Sequence, residues 1–353
     1  MTEKKTMQDI RQLSDEELVN VMEALGQPSF RTKQLHQWLW QKGASGFSEM
    51  TNLSTSLREQ LTDAYSFNSI VPDTIQNSVD GTIKSRWKLF DGKMIESVLI
   101  PVVDENRFTV CVSSQVGCSL NCAFCATGKL GYSRNLEVYE IFEQFHLVNQ
   151  QCESTFFHPL TNIVFMGMGE PLLNYKNVLK AIEKITSPEG YGWSPRRITL
   201  STVGIAKMIH KLAEDDVKFN LALSLHAADD EKRNKIMPIN QSNTLEVLID
   251  ALEDFYLKTK GKISFEYIAF NGFNDTFKDA DNLIRLCKRF PVKVNIIEYN
   301  PVEGVEYSKS TEDQINRFAK YLTDHNVLAT VRRSRGKDID AACGQLANKA
   351  SLS

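Results

Sequence analysis

Beyond residue 105 the chain passes six times from a short apolar run to an amphipathic helical pattern, and this alternation constrains the fold more than any other feature. The runs are Phe108–Ser113, Asn162–Met166, Arg197–Ser201, Lys218–Leu225, Ile263–Phe270 and Val292–Tyr299. Helical periodicity separates them over Val138–Asn149, Tyr175–Ile185, Leu245–Tyr256 and Asp279–Arg289. Six β-then-α units imply an α/β fold with a parallel sheet and right-handed crossovers. Six is short of the eight that close a barrel, so an open, partial (β/α)6 barrel is expected, with a doubly wound sheet as the alternative. Either way a site belongs at the carboxyl ends of the strands.

The preceding segments read differently. Ser14-Asp-Glu-Glu is a helix N-cap with acidic first-turn residues, and Leu18, Val21, Met22 and Leu25 follow at helical spacing up to Gly26. A second run, Phe30 to Trp40, sets Leu35, Trp38 and Leu39 on one side, and a third helix begins near Leu53-Ser54. From Val71 to Pro101, Asp80-Gly81 and Asp91-Gly92 mark hairpin turns between strand-like runs. The expected organisation is a helical accessory domain over 1–68, a β extension over 69–104 and a catalytic α/β domain over 105–353. No stretch is apolar enough to span a bilayer, and the charged start MTEKKTMQDIRQLSDEE lacks a signal-peptide core, so a cytoplasmic protein is expected. The net charge of −3 neither marks nor excludes a nucleic-acid binder; Arg196-Arg197 and Arg332-Arg333 with Arg335 are local basic candidates.

Seven cysteines, an odd number with four crowded between 111 and 125, are a poor disulfide framework. Directly after the first strand, Cys118, Cys122 and Cys125 stand at C-x3-C-x2-C spacing. Three thiolates can hold three irons of a [4Fe–4S] cluster and leave the fourth open to a small molecule. A structural zinc site would need a second close pair, and a plain electron-transfer cluster a fourth cysteine. Phe124 is placed to keep water from the cluster. The other strand ends are polar: Gly167-Met-Gly-Glu-Pro171, Ser201-Thr202, Ser224-Leu-His226 and Tyr299-Asn300-Pro301. Cys111 lies on the first strand, where a buried small hydrophobe is the ordinary reading. Cys343 stands before a glycine in a polar-flanked segment near the far end, and Cys152 and Cys287 read as structural.

C-x3-C-x-aromatic-C resembles the radical S-adenosylmethionine superfamily, whose open iron is chelated by the amino acid part of that cofactor. More closely, the chain resembles the bacterial dual-specificity methyltransferases that modify carbon 2 of an adenine in large-subunit (23S) ribosomal RNA and of one in the transfer RNA anticodon loop. The resemblance is carried by 30–38, 49–54, 111–118, 166–171, 196–202, 224–226, Met237-Pro-Ile-Asn240 and 335–346. It implies that Cys118, Cys122 and Cys125 bind the cluster. It places Gly169, Glu170, Ser201, Ser224, Leu225, His226 and Asn300 against S-adenosylmethionine. It makes Cys343 the methyl-carrying cysteine, Cys111 its resolving partner through a transient disulfide, and Glu96 a proton acceptor; the residue pattern alone shows Glu96 only as an acidic strand residue.

Two S-adenosylmethionine molecules per turnover, an electron donor such as flavodoxin or ferredoxin, and a monomer are expected on the same ground. Ala126-Thr127-Gly128 also occurs in a related branch that methylates carbon 8 and confers antibiotic resistance, whereas Pro171 and the run 332–338 lean toward carbon 2. A non-catalytic iron–sulfur RNA-binding protein and a radical activase of another protein are the competing classes.

Overall fold

The computed structural model describes residues 7–348; the charged start MTEKKT lies outside them. Three helices open the chain: α1 (Asp15–Ala24), α2 (Ser29–Trp40) and α3 (Thr55–Ala64). At the start of α1, Ser14 Oγ accepts from Glu17 N (3.2 Å) and Glu17 Oε2 accepts from Ser14 N (2.6 Å), a reciprocal box that satisfies two free backbone donors. Trp38 is not the inward tryptophan. It stays partly exposed, its indole N–H donating to Asn52 Oδ1 (2.5 Å), while Trp40 is buried edge-on to Phe142, with ring centroids 5.2 Å apart.

The β extension comprises β1 (Val71–Asn77), β2 (Ile83–Lys88) and β3 (Met94–Val102). Its turns need left-handed backbone, which Gly81 (φ +84°) and Gly92 (φ +80°) supply. β3 pairs antiparallel with β4 (Arg107–Cys111), so the extension continues the main sheet. A small hairpin of β5 (Gln115–Gly117) and β6 (Tyr132–Asn135) brackets the cysteine loop and the one-turn α4 (Ala126–Lys129).

The repeating units then follow: α5 (Val138–Phe156), β7 (Asn162–Phe165), α6 (Tyr175–Thr186), β8 (Ile198–Thr202), α7 (Ala206–Glu214), β9 (Asn220–Ser224), α8 (Asp230–Ile236), α9 (Leu245–Thr259), β10 (Ile263–Ala269), α10 (Phe277–Cys287), β11 (Val292–Glu298), α11 (Glu312–Asp324) and β12 (Leu328–Arg332). Strands β4, β7, β8, β9, β10, β11 and β12 are parallel and lie in chain order. A doubly wound sheet would reverse its order at a switch point. This one does not, and β1 and β12 stay unpaired with each other, so the barrel is open and partial. All six expected strands are present with slightly shifted ends. β12 was not foreseen: Leu-Ala-Thr-Val-Arg is a short, half-exposed edge strand with no buried run to announce it. No helix among the described residues is long and apolar enough to cross a membrane.

Candidate active site

A cavity opens at the carboxyl ends of the parallel strands, lined in part by Cys111, Cys118, Cys122, Cys125 and Cys343. The cysteine loop is shaped by its backbone. Gly117 (φ +75°) lets Cys118 N donate to Gly131 O (3.0 Å); a Cβ at 117 would stand 1.8 Å from that oxygen. Cys125 N donates back to Cys122 O (3.1 Å), and Ala123 N to Ile236 O (2.9 Å). Phe124 is buried below, edge-on to His226 at 4.7 Å.

Burial pushes the Cys118 thiol up to about 11 and the Cys122 thiol higher still, the latter also because neighbouring thiolates repel. Such thiols ionise readily only against a cation. Cys118, Cys122 and Cys125 line one cavity, three thiols at C-x3-C-x2-C spacing with no second close pair in the sequence. That spacing suits a cluster, in which each cysteine meets a different iron, better than a single zinc ion. The donor set thus fits the group the sequence calls for.

One cation stands behind this wall. Arg233 on α8 is fully buried, donating to Leu225 O (3.1 Å), Ser224 O (3.3 Å), Val203 O and Asn240 Oδ1 (2.5 Å). Burial lowers it to about 10, partly offset by the negative charge available at Cys122. It ties the ends of β8 and β9 together and sets a guanidinium within electrostatic reach of Cys122.

Three of the four polar strand ends meet at the cavity, and Tyr299-Asn300-Pro301 does not line it. After β7, Gly169 (φ +92°) packs where a Cβ would come within 2.4 Å of Gln115 Cβ. Glu170 is buried, with Oε2 accepting from Val203 N (2.9 Å) and Oε1 from Leu172 N (3.1 Å); burial still raises it to about 7. Ser201 Oγ and Ser224 Oγ stand 3.3 Å apart across β8 and β9. His226, at φ +55°, accepts from Ile268 N through Nδ1 (3.1 Å), which leaves its proton on Nε2. Burial first, then Arg233, lowers it to about 3, so it is neutral.

Residues 8–66 match the ribosomal RNA large subunit methyltransferase N-terminal domain, and residues 112–287 match the radical SAM superfamily. A probable dual-specificity RNA methyltransferase RlmN of Cytophaga hutchinsonii is 54% identical, covering 96% of this chain and 93% of its own. The dual-specificity RNA methyltransferase RlmN 2 of Myxococcus xanthus is 46% identical over 97% of this chain and 91% of its own. The chain belongs to the RlmN family. A crystal structure of a radical SAM methyltransferase from Sphaerobacter thermophilus superposes with TM-score 0.90 and 37% identity, covering 96% of this chain and 99% of that one.

Not every residue singled out in this RlmN-family chain reaches the cavity. Cys118, Cys122, Cys125, Cys111, Cys343, Gly169, Glu170, Ser201, Ser224 and His226 line it. Leu225 is buried behind the wall, its backbone N–H on Glu266 O (3.0 Å). Asn300 is also behind it, its amide donating to Ser334 Oγ (2.9 Å). Glu96 is buried on β3 against the C-terminal segment.

Cys111 and Cys343 face the same space from opposite ends of the chain. Cys111 is buried and its thiol held high by burial and by Cys343; Cys343 keeps exposed surface at the cavity mouth, but the protein packed around it desolvates the thiol and raises it, with Arg332 opposing and Glu266 and Cys125 adding. All seven cysteines are free thiols here, so the expected disulfide is not formed.

Glu266 and Arg332 to Arg335 also line the cavity and were not foreseen as one wall. Glu266 reads as a strand interior residue, and only the pairing of β11 with β12 brings Arg332 beside it, at 3.4 Å. The Arg196-Arg197 pair, by contrast, precedes β8 at its amino end, away from the site.

Proposed function

We propose that this enzyme methylates carbon 2 of adenine in large-subunit ribosomal RNA and in transfer RNA, through a methyl group carried on Cys343. The observation that carries the reading is that Cys343 and Cys111 line one cavity with the three cluster-spaced cysteines. A radical activase or an electron-transfer protein has no need of that pair.

With a [4Fe–4S] cluster on Cys118, Cys122 and Cys125 and S-adenosylmethionine bound, the site has one-electron chemistry and a methyl donor, two donor molecules serving each turnover. Gly169, Glu170, Ser201, Ser224 and His226 hold the cofactor, with Leu225 and Asn300 supporting that wall from behind. Glycine at 169 permits close backbone approach, and neutral His226 offers an Nε2–H donor.

Carbon 2 of adenine is electron-poor, so an ordinary nucleophilic displacement on a methyl donor cannot start there. Cys343, as its thiolate, takes the methyl group first. One hydrogen atom has to leave that methyl group, a removal that the one-electron chemistry of the bound cluster and S-adenosylmethionine would supply. The remaining CH2 carbon on Cys343 Sγ then joins carbon 2 of a base turned out of its stack, linking enzyme and RNA, and the odd electron returns to that one-electron chemistry when the carbon-2 proton leaves. Loss of the carbon-2 proton to an acceptor and attack of Cys111 Sγ on Cys343 Sγ release the methylated base and leave a disulfide that must be reduced before the next turnover. Arg332, Arg333 and Arg335 at the cavity wall supply positive charge toward the RNA backbone. The enzyme works as a cytoplasmic monomer and takes electrons from a flavodoxin or ferredoxin.

Mass spectrometry of nucleosides from RNA treated with enzyme and S-adenosylmethionine tests the reading. 2-Methyladenosine formed by the native enzyme, and lost in Cys343→Ala, is the expected result. 8-Methyladenosine, or full activity in Cys343→Ala, would overturn it.

A further inference from the structure

We infer that Glu96 is a positioning residue: with Lys84 it holds the Cys343 segment over the cavity by both of its ends. Glu96 lies on β3, only 1% exposed, and does not line the cavity. Its Oε2 accepts two backbone donors, Ala347 N (3.0 Å) and Asn348 N (3.2 Å). Its Oε1 faces Lys84 Nζ at 3.6 Å, and Lys84, equally buried on β2, donates to Asp340 O (3.3 Å).

Lys84 pairs with Val98 and Arg86 with Glu96, so Lys84 and Glu96 are diagonal neighbours across the β2–β3 ladder. One buried ion pair therefore grips residue 340 with its cation and residues 347–348 with its anion. Cys343 sits between the two grips.

The rest of the extension repeats the pattern. Asp80 Oδ2 accepts from Gly336 N (2.9 Å), and Asp338 accepts from Ser78 Oγ (2.5 Å) and Val79 N (3.1 Å). Arg86 donates to Asn348 O (3.1 Å), and Asn348 Nδ2 to Met94 O (2.7 Å). On the inner side the cluster loop joins in: Ala126 N donates to Gly344 O (2.7 Å) and Thr127 Oγ1 to Leu346 O (2.7 Å). The segment lies between the β extension and the cluster loop, with the carboxylates of 80 and 338 on backbone or hydroxyl donors and that of 96 shared between two backbone donors and Lys84. An extension with an acid on β3 and a base on β2 at these positions has a specific use: it fixes the reach of a cysteine that sequence separates from its site by more than two hundred residues.

The consequence for catalysis rests on the methyl-carrier reading of Cys343; the anchoring does not. Amide hydrogen exchange on the full-length, as-isolated enzyme tests it without turnover. In Glu96→Ala, exchange at Ala347 and Asn348 should accelerate roughly tenfold or more, since two bonds to a charged acceptor are lost. Glu96→Gln keeps an oxygen where both amides donate, and its exchange should stay within a few-fold of the native enzyme. Protection of β10 and β11 in both variants confirms that the barrel is folded.

Unchanged exchange in Glu96→Ala, or Glu96→Gln as fast as Glu96→Ala, would overturn the inference. Failure of the methyl-carrier reading is seen separately, as undiminished RNA methylation by Cys343→Ala.

Discussion

The cluster loop and the Cys343 segment present cysteines to the same cavity but are built in opposite ways. The loop from Cys118 to Cys125 is shaped largely by near neighbours: Gly117 against Gly131, Cys125 against Cys122. The segment around Cys343 has one short turn, Lys337–Ile339, and is held by residues 78–96 and 126–127. Chemistry that needs several ligands at fixed spacing is encoded locally. Chemistry that needs one nucleophile at a fixed distance can be delivered by a tail, provided the rest of the fold grips it.

The largest effects should separate the two regions by what they remove. Cys122→Ala should lose both iron content and methylation. Cys343→Ala should bind iron normally and lose methylation by roughly a thousandfold or more, because the group it removes forms a covalent bond in the reaction. Iron analysis and single-turnover assays on the same preparations check this; loss of iron in Cys343→Ala would show that the two regions are not independent. A backbone change in the loop should come next. Gly117→Ala forces a left-handed backbone onto an L residue and drives its Cβ into Gly131 O. It should cost at least about 2 kcal/mol in denaturant unfolding and lower cluster occupancy, with the Cys343 segment unaffected.

The tail's own charges give a pH signature. Glu298 at the end of β11 accepts from Arg333 Nη1 (2.7 Å) and Lys337 Nζ (2.7 Å), and despite the cost of burial these cations lower it to about 2. A carboxyl whose folded pKa lies below its unfolded value stabilises fully above the unfolded value of about 4.5, and that contribution fades as pH falls toward about 2. Because Arg333 and Lys337 are partly solvated, roughly 1–2 kcal/mol is expected. Glu298→Gln should therefore lower Tm at pH 7 and make little difference near pH 2; an equal difference at both would rule the ion pairs out. The smallest effect belongs to a contact outside both regions. Ser14→Ala breaks the box at the start of α1 and should cost about 1 kcal/mol in thermal unfolding, with no change in iron content or methylation.

The same contrast explains what could be read in advance. The cysteine spacing, the six strands and the polar strand ends are periodic or local patterns, and the structure places them together. Glu96, Lys84 and Asp80 carry no such pattern. Their partners lie some 250 residues away, and the residues flanking Glu96 in the sequence do not point to them. Arg233 is similar: on sequence it is one charge in a short polar helix, and only the fold buries it beside the cluster cysteines. β12 was missed for a packing reason, since an edge strand with a half-exposed face lacks the continuous apolar run that marked its neighbours.

The central claim is that Cys343 reaches the RNA base and Cys111 releases it. Mass spectrometry of Cys111→Ala incubated with RNA, S-adenosylmethionine and reductant tests this most directly. The account predicts a covalent enzyme–RNA species whose nuclease-trimmed adduct maps to Cys343 through a single added carbon. Free methylated RNA at the native rate with no such species, or an adduct on another residue, would contradict it.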